Sequence, residues 1–173
     1  FGGIAKALAT WTWDGERRGV FVTVAGPAGQ KIEKSGATYE NLLSAMRKAG
    51  DPRVPLRVQS YRNALFTLSS RVKVDADYET EPVFAAVEVT LRQHFSFEAR
   101  QFGQPVTLGE VVATIQGVPG VLAVDLDQLY RLDQDASLNP RLLAAVPCTA
   151  SEGEILPAEQ LMLDPDPAVL TIM

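Results

Sequence analysis

The stretch from Gly103 to Asp127, GQPVTLGEVVATIQGVPGVLAVDLD, fixes a helix start, a helix stop and a strand within one short run. Thr107 is a natural N-cap. Glu110, three residues on, completes a capping box, in which each side chain satisfies the other's backbone N–H. The helix therefore begins at Leu108. Leu108, Val111, Val112 and Ile115 fall on one apolar face, and Gly117 supplies the flexible residue expected past a helix end. Pro119 and Gly120 forbid continuation. From Val121 the period changes to two: Leu122, Val124 and Leu126 share one strand face, and Val121, Ala123, Asp125 and Asp127 share the other.

The remaining segments are placed around this one. Ala7–Trp13 and Gly19–Ala25 are runs of strand formers separated by Asp14-Gly15, a hairpin signal. The second run, GVFVTVAG, is apolar or β-branched almost throughout, as in a strand covered on both faces. Thr38 is positioned to cap a helix over 39–49, with Leu42, Leu43 and Met46 inward, and Gly50-Asp51-Pro52 ends it. Strands follow over 54–61 and 63–75. The second alternates cleanly, with Phe66, Leu68, Ser70, Val72 and Val74 on its buried face. Thr80 is positioned to cap a helix running to about Phe97, with Phe84, Val87, Leu91 and Phe95 as its core stripe.

From Val20 the order is strand, helix, strand, strand, helix, an added short helix, strand. That is the split βαβ order, so the expected fold is α+β and ferredoxin-like: one antiparallel four-stranded sheet with helices on one face. The expected organisation is an N-terminal hairpin arm over 1–19, the α+β domain over 20–131, and an extended acidic arm over 132–173. In that arm short apolar islands (Leu142-Leu143, Ile155-Leu156, Leu161–Leu163, Val169–Met173) alternate with Pro, Asp and Ala. Such an arm docks on its own domain or on a neighbour, and truncation after Leu132 is expected to leave a folded core.

Composition narrows the class. The chain has 173 residues, 46% hydrophobic and 21% charged, as in an ordinary folded domain rather than a disordered one. It opens in mid-pattern at Phe1, which reads as a piece of a longer protein. No apolar run reaches the roughly 20 residues a membrane-spanning helix needs. A single cysteine, Cys148, rules out an internal disulfide framework and, beside a single histidine, a Cys/His zinc cluster; cytoplasm is the default compartment. The net charge of −5 is uneven, with 14 basic and 12 acidic residues in 1–124 against 2 and 9 in 125–173. No concentrated basic face marks a nucleic-acid binder.

No catalytic constellation emerges. Asp125 and Asp127 could offer oxygens to a divalent cation, but a third ligand is missing, and a solvated strand end is the plainer reading. The acidic turn Asp75, Asp77, Glu79 and Glu81 lacks EF-hand spacing and suits a helix N-terminus. His94 sits late in a helix, with no nucleophile signature around Ser69, Ser70 or Cys148. The Gly26–Gly29 loop lacks the Lys-Ser/Thr of a phosphate cradle. Trp11 and Trp13 share one strand face, and with Ile155, Leu156, Leu161 and Leu163 they form the candidate interface set, since buried aromatic and apolar anchors carry interface energy. No cofactor and no metal site is expected. An alternative reading is a small-molecule or metal-binding ferredoxin-like domain of an enzyme complex, using Asp125, Asp127 and His94.

The order GVFVTVAG, GDPRVPLRVQSYR, RVKVDADYE, FSFEARQFGQPVTLGEVVATIQGVPGVLAVDLDQLYR and EILPAEQLMLD resembles the C-terminal part of the baseplate J-like proteins, over roughly Ile4 to Asp164. These are wedge components of contractile phage tails and related injection systems. The resemblance implies a structural, non-enzymatic role in a symmetric multi-subunit assembly. Its implied partners are other wedge subunits, the hub and spike, and sheath-proximal proteins, with no nucleic acid. It also implies assembly in the cytoplasm before incorporation into a phage tail or phage tail-like particle. The family's N-terminal portion has no counterpart in these residues.

Overall fold

A computed structural model describes residues 1–13, 16–149 and 154–173. The elements are β1 (Lys6–Trp13), β2 (Arg18–Ala25), α1 (Ala37–Ala49), β3 (Leu56–Ser60), β4 (Arg62–Val74), α2 (Thr80–His94), β5 (Val106–Thr107), α3 (Leu108–Gln116) and β6 (Val121–Arg131), followed by five short strands. The latter are β7 (Arg141–Leu142), β8 (Cys148–Thr149), β9 (Ile155–Leu156), β10 (Glu159–Leu163) and β11 (Val169–Ile172). The class is α+β. The chain forms two compact units, each discontinuous: residues 1–62 with 145–160, and residues 63–144 with 161–173. The boundary expected at 19/20 falls inside β2.

In the first unit β1 and β2 pair antiparallel, from Lys6↔Ala25 to Trp13↔Arg18. The expected Asp14-Gly15 turn between them lies outside the described residues. β2 then pairs in parallel with β3, from Val20↔Leu56 to Val24↔Ser60. A parallel neighbour needs a crossover, and α1 provides it. Val22, Val24 and Val58 pack against Leu42 of the helix and Ile32 of the loop before it. On the opposite face of β2, Phe21, Thr23 and Ala25 are also fully buried. There the Ala158 N–H donates to Thr23 Oγ1 at 3.0 Å and the Arg62 N–H donates to the Ala158 carbonyl at 2.9 Å, so the 155–160 segment is stitched over this face.

In the second unit β4 is central: β6 pairs with it antiparallel, while β10 and β11 also bond to it, β11 in parallel. Phe66, Leu68 and Val72 of β4 meet Val83, Val87, Leu91 and Phe95 from α2, and Val111 and Ile115 of α3, in one core that also takes Leu161 and Leu163. The ferredoxin-like sheet is therefore not what the chain builds. The four strands expected in one antiparallel sheet divide, β2 and β3 in one and β4 and β6 in another. A single residue, Tyr61, separates β3 from β4. That is too short for the two-residue hairpin turn an antiparallel pair needs, so the chain runs on into a second sheet.

α3 spans Leu108–Gln116 as its capping and stop signals predict, with Thr107 Oγ1 accepting from the Glu110 N–H at 3.1 Å. The reciprocal half of the capping box does not form. The Glu110 carboxylate instead meets Arg100 and, at 3.0 Å, His94 Nε2. The other two threonine caps are displaced: α1 starts after Gly36 and α2 after Glu79, neither with a side-chain cap. On α2 the buried stripe runs through Val83, Val87 and Leu91, while Phe84 is half-buried. The segment expected as an arm over 132–173 forms short strands that pair within the chain. Leu142 of β7 pairs with Val106 of β5, β8 pairs with β9, and β10 and β11 complete the sheet around β4.

Candidate interaction surface

Alternation along β1 sends Lys6, Leu8, Thr10 and Thr12 to one side and Ala7, Ala9, Trp11 and Trp13 to the other, and this second row is exposed. Trp11 lies opposite Val20 and Ala9 opposite Val22, so the tryptophans share the sheet face on which α1 packs. The helix shields β2 and β3 but leaves Trp11 66% and Trp13 53% exposed. Beyond the last turn of α1 a cleft of about 680 Å³ opens. Its lining includes the apolar Trp11, Val20, Met46 and Leu56, Pro52 and Pro55 of the loop after α1, and Arg17, Arg47 and Arg57. The loop is pressed hard onto β2. Val20 N–H donates to the Pro55 carbonyl at 2.8 Å, and a Cβ on Gly19 would stand 2.7 Å from that same oxygen. Only glycine lets the lip of the cleft close this far.

The remaining candidate interface residues are placed differently. Ile155 is 3%, Leu161 0% and Leu163 8% exposed, and Leu156 is half-buried. Their apolar surface is spent inside the chain, because these short strands cover β2 and flank β4. The exposed apolar surface at the C-terminal side belongs to Val169, Ile172 and Met173 instead. Sequence reasoning also missed Met46 and the three arginines of the cleft. Arg17, Met46 with Arg47, and Arg57 lie on separate stretches of the chain, so the inward placing of Met46 on α1 did not join it to the arginines.

The residues of the metal-binding alternative are each engaged with a side chain of the protein. Arg71 Nε donates to Asp127 Oδ1 at 3.1 Å and its Nη2 meets Asp125, so the Asp-x-Asp grips a guanidinium across the β4–β6 pair. Among the described residues no group of three or more His, Cys, Asp and Glu side chains is placed to hold a metal ion. His94 closes α2 against Glu110, which is shared with Arg100. Arg100 is 1% exposed, donates to the Pro105 carbonyl and lies 5.3 Å over the Phe95 ring. Cys148 is exposed in β8 opposite Leu156. Among the described residues no helix is long and apolar enough to cross a membrane.

A family model described as "Baseplate J-like central domain" matches residues 1–59, the stretch that builds β1, β2, α1 and nearly all of β3. Among solved structures, the chain is similar to one titled "Cryo-EM structure of the anti-feeding prophage (AFP) baseplate, 6-fold symmetrised". The likeness has a TM-score of 0.53 at 13% identity and covers 82% of this chain, which spans 29% of that one. No curated protein gives a significant match.

Proposed function

We propose that this chain, whose residues 1–59 match a model of the baseplate J-like central domain, is a baseplate J-like wedge component of a contractile tail or contractile injection system. In this role it links neighbouring subunits and passes on the conformational change that triggers contraction. Its partners would be other wedge subunits, the hub and spike, and sheath-proximal proteins in a symmetric particle assembled in the cytoplasm. No chemical step is part of the proposal. The observation that carries it is the Trp11 and Trp13 face, two large aromatics left open on the unit that the family model matches. Tryptophan is among the residues most enriched at interface hot spots, and a pair this exposed on one strand is surface kept for a partner.

Replacing both tryptophans by alanine should leave the fold intact and keep the protein out of purified particles, read by cross-linking mass spectrometry. Incorporation at the unaltered level, or cross-links confined to the chain itself, would remove the assembly role.

A further inference from the structure

We infer that the outer edge of β1 pairs with β1 of a second copy, antiparallel about a two-fold axis, so that the three-stranded sheets of two chains run on as one. This goes beyond the assembly role and does not depend on it. β1 ends its sheet, with β2 on one side and, among the described residues, no strand on the other. Such an edge offers a row of main-chain donors and acceptors to any extended chain, and edges that remain single are blunted by charge, proline, bulges or brevity. β1 has almost none of these. Its eight residues, KALATWTW, hold one charge, at the first position, and no proline, and its register with β2 runs from Lys6 to Trp13 without a slip. The other outer strands are guarded. β3 has five residues with Pro55 just ahead of it, β11 has four, and β6 carries two register slips with Asp125, Asp127 and Arg131.

The side-chain pattern selects a second copy as the occupant. In an antiparallel pair centred on Thr10, Ala9 stands opposite Trp11 of the partner subunit and Ala7 opposite the partner's Trp13. Opposite residues share a face, and this face is the exposed one. Each indole then lies beside a methyl group, and surface that α1 leaves open is covered by the neighbouring strand. Of the possible centres, Thr10 alone gives both tryptophans an alanine of the strand opposite. On the other face Thr10 meets its own copy and Leu8 meets the partner's Thr12, so like charges nowhere oppose. The pattern needs no second sequence, because the strand supplies both the large residues and the small ones that receive them. β8 reaches β1 at its end, where Thr149 Oγ1 donates to the Trp13 carbonyl at 2.8 Å, but it does not pair with the strand.

The full chain should sediment as a dimer that dissociates on dilution. Thr10→Lys and Thr10→Glu each set like charges face to face on the axis and should raise the dissociation constant at least roughly tenfold, while an equal mixture of the two restores the dimer. Circular dichroism of each variant should match the parent. Register is read by thiol cross-linking in a Cys148→Ser background. There Thr10→Cys should give a disulfide-linked dimer under mild oxidation, and Leu8→Cys, which faces the partner's Thr12, far less. A monomer at every concentration reached would overturn the inference and leave the edge to a strand of another protein. Species larger than the closed pair, charge variants that leave the dimer intact, a mixture that restores nothing, or Leu8→Cys linking as fast as Thr10→Cys would overturn it too. These outcomes are separable from the assembly role. A chain that dimerises through β1 yet stays out of particles keeps this inference and loses that role, and a monomeric chain that enters particles does the reverse.

Discussion

Gly120 sits at φ +90°, and a Cβ there would stand 2.8 Å from the Tyr78 ring and 2.9 Å from Val83. The Gly120 carbonyl also accepts the Asp75 N–H at 2.8 Å, so one residue anchors the turn that leads into α2. Gly120→Ala should cost roughly 1–2 kcal/mol from the left-handed backbone alone, with more from the clash, read as a lower urea midpoint at unchanged slope. Its role as a stop signal was legible in the sequence; its place under Tyr78 was not, since that contact spans some forty residues. Glu110 teaches the same lesson, because the local code named it a cap partner and a buried arginine ten residues upstream claimed it. Tyr61 gives a pH test. Its hydroxyl donates to the Gly29 carbonyl at 2.8 Å, and burial pushes the phenol above its ordinary value. The folded state therefore holds that proton where the unfolded chain releases it, and stability should fall as pH rises past the ordinary phenol range. Absorbance titration checks this, and Tyr61→Phe should blunt the fall.

At the scale of elements, β6 shows why a correct strand assignment can still misplace its side chains. Pairing with β4 slips twice, so that Leu122 and Asp127 have no opposite residue. Each slip is a bulge that turns the following side chains to the other face. Strict alternation put Leu122 inward beside Leu126, yet Leu122 is 50% and Leu126 6% exposed, and the next buried position is Leu129. Asp127 nevertheless stays on the Arg71 side with Asp125. Leu122→Ala should therefore stay within about 0.5 kcal/mol of the parent, whereas Leu126→Ala should cost roughly 2–4 kcal/mol in chemical denaturation. Equal costs would mean the slips are absent. Existence, type and order of the three helices and the longer strands were legible because periodicity and stop residues are local. Bulges and the division into two sheets were not, because hydrogen-bond register and parallel pairing are decided by partners distant in sequence.

At the scale of the whole molecule, the C-terminal segment resembles an acidic arm in composition and behaves as core in structure. Its apolar islands are too short to show a period, so nothing local announces that Leu161 and Ala158 are fully buried. Cutting after Leu132 would remove β10 and β11 from β4 and uncover Phe21 and Thr23 on β2. The expected outcome is a chain without cooperative thermal unfolding, contrary to the folded remnant that composition alone suggests, and a sharp calorimetric transition in the truncated protein would refute it. The chain passes from one compact unit to the other three times, at 62/63, 144/145 and 160/161. A ribosome making it thus releases no finished unit early. The first sheet waits for residues 155–160 and the second for β11. An incomplete chain therefore leaves buried positions such as Phe21 and Thr23 of β2 and Phe66 and Leu68 of β4 without part of their cover.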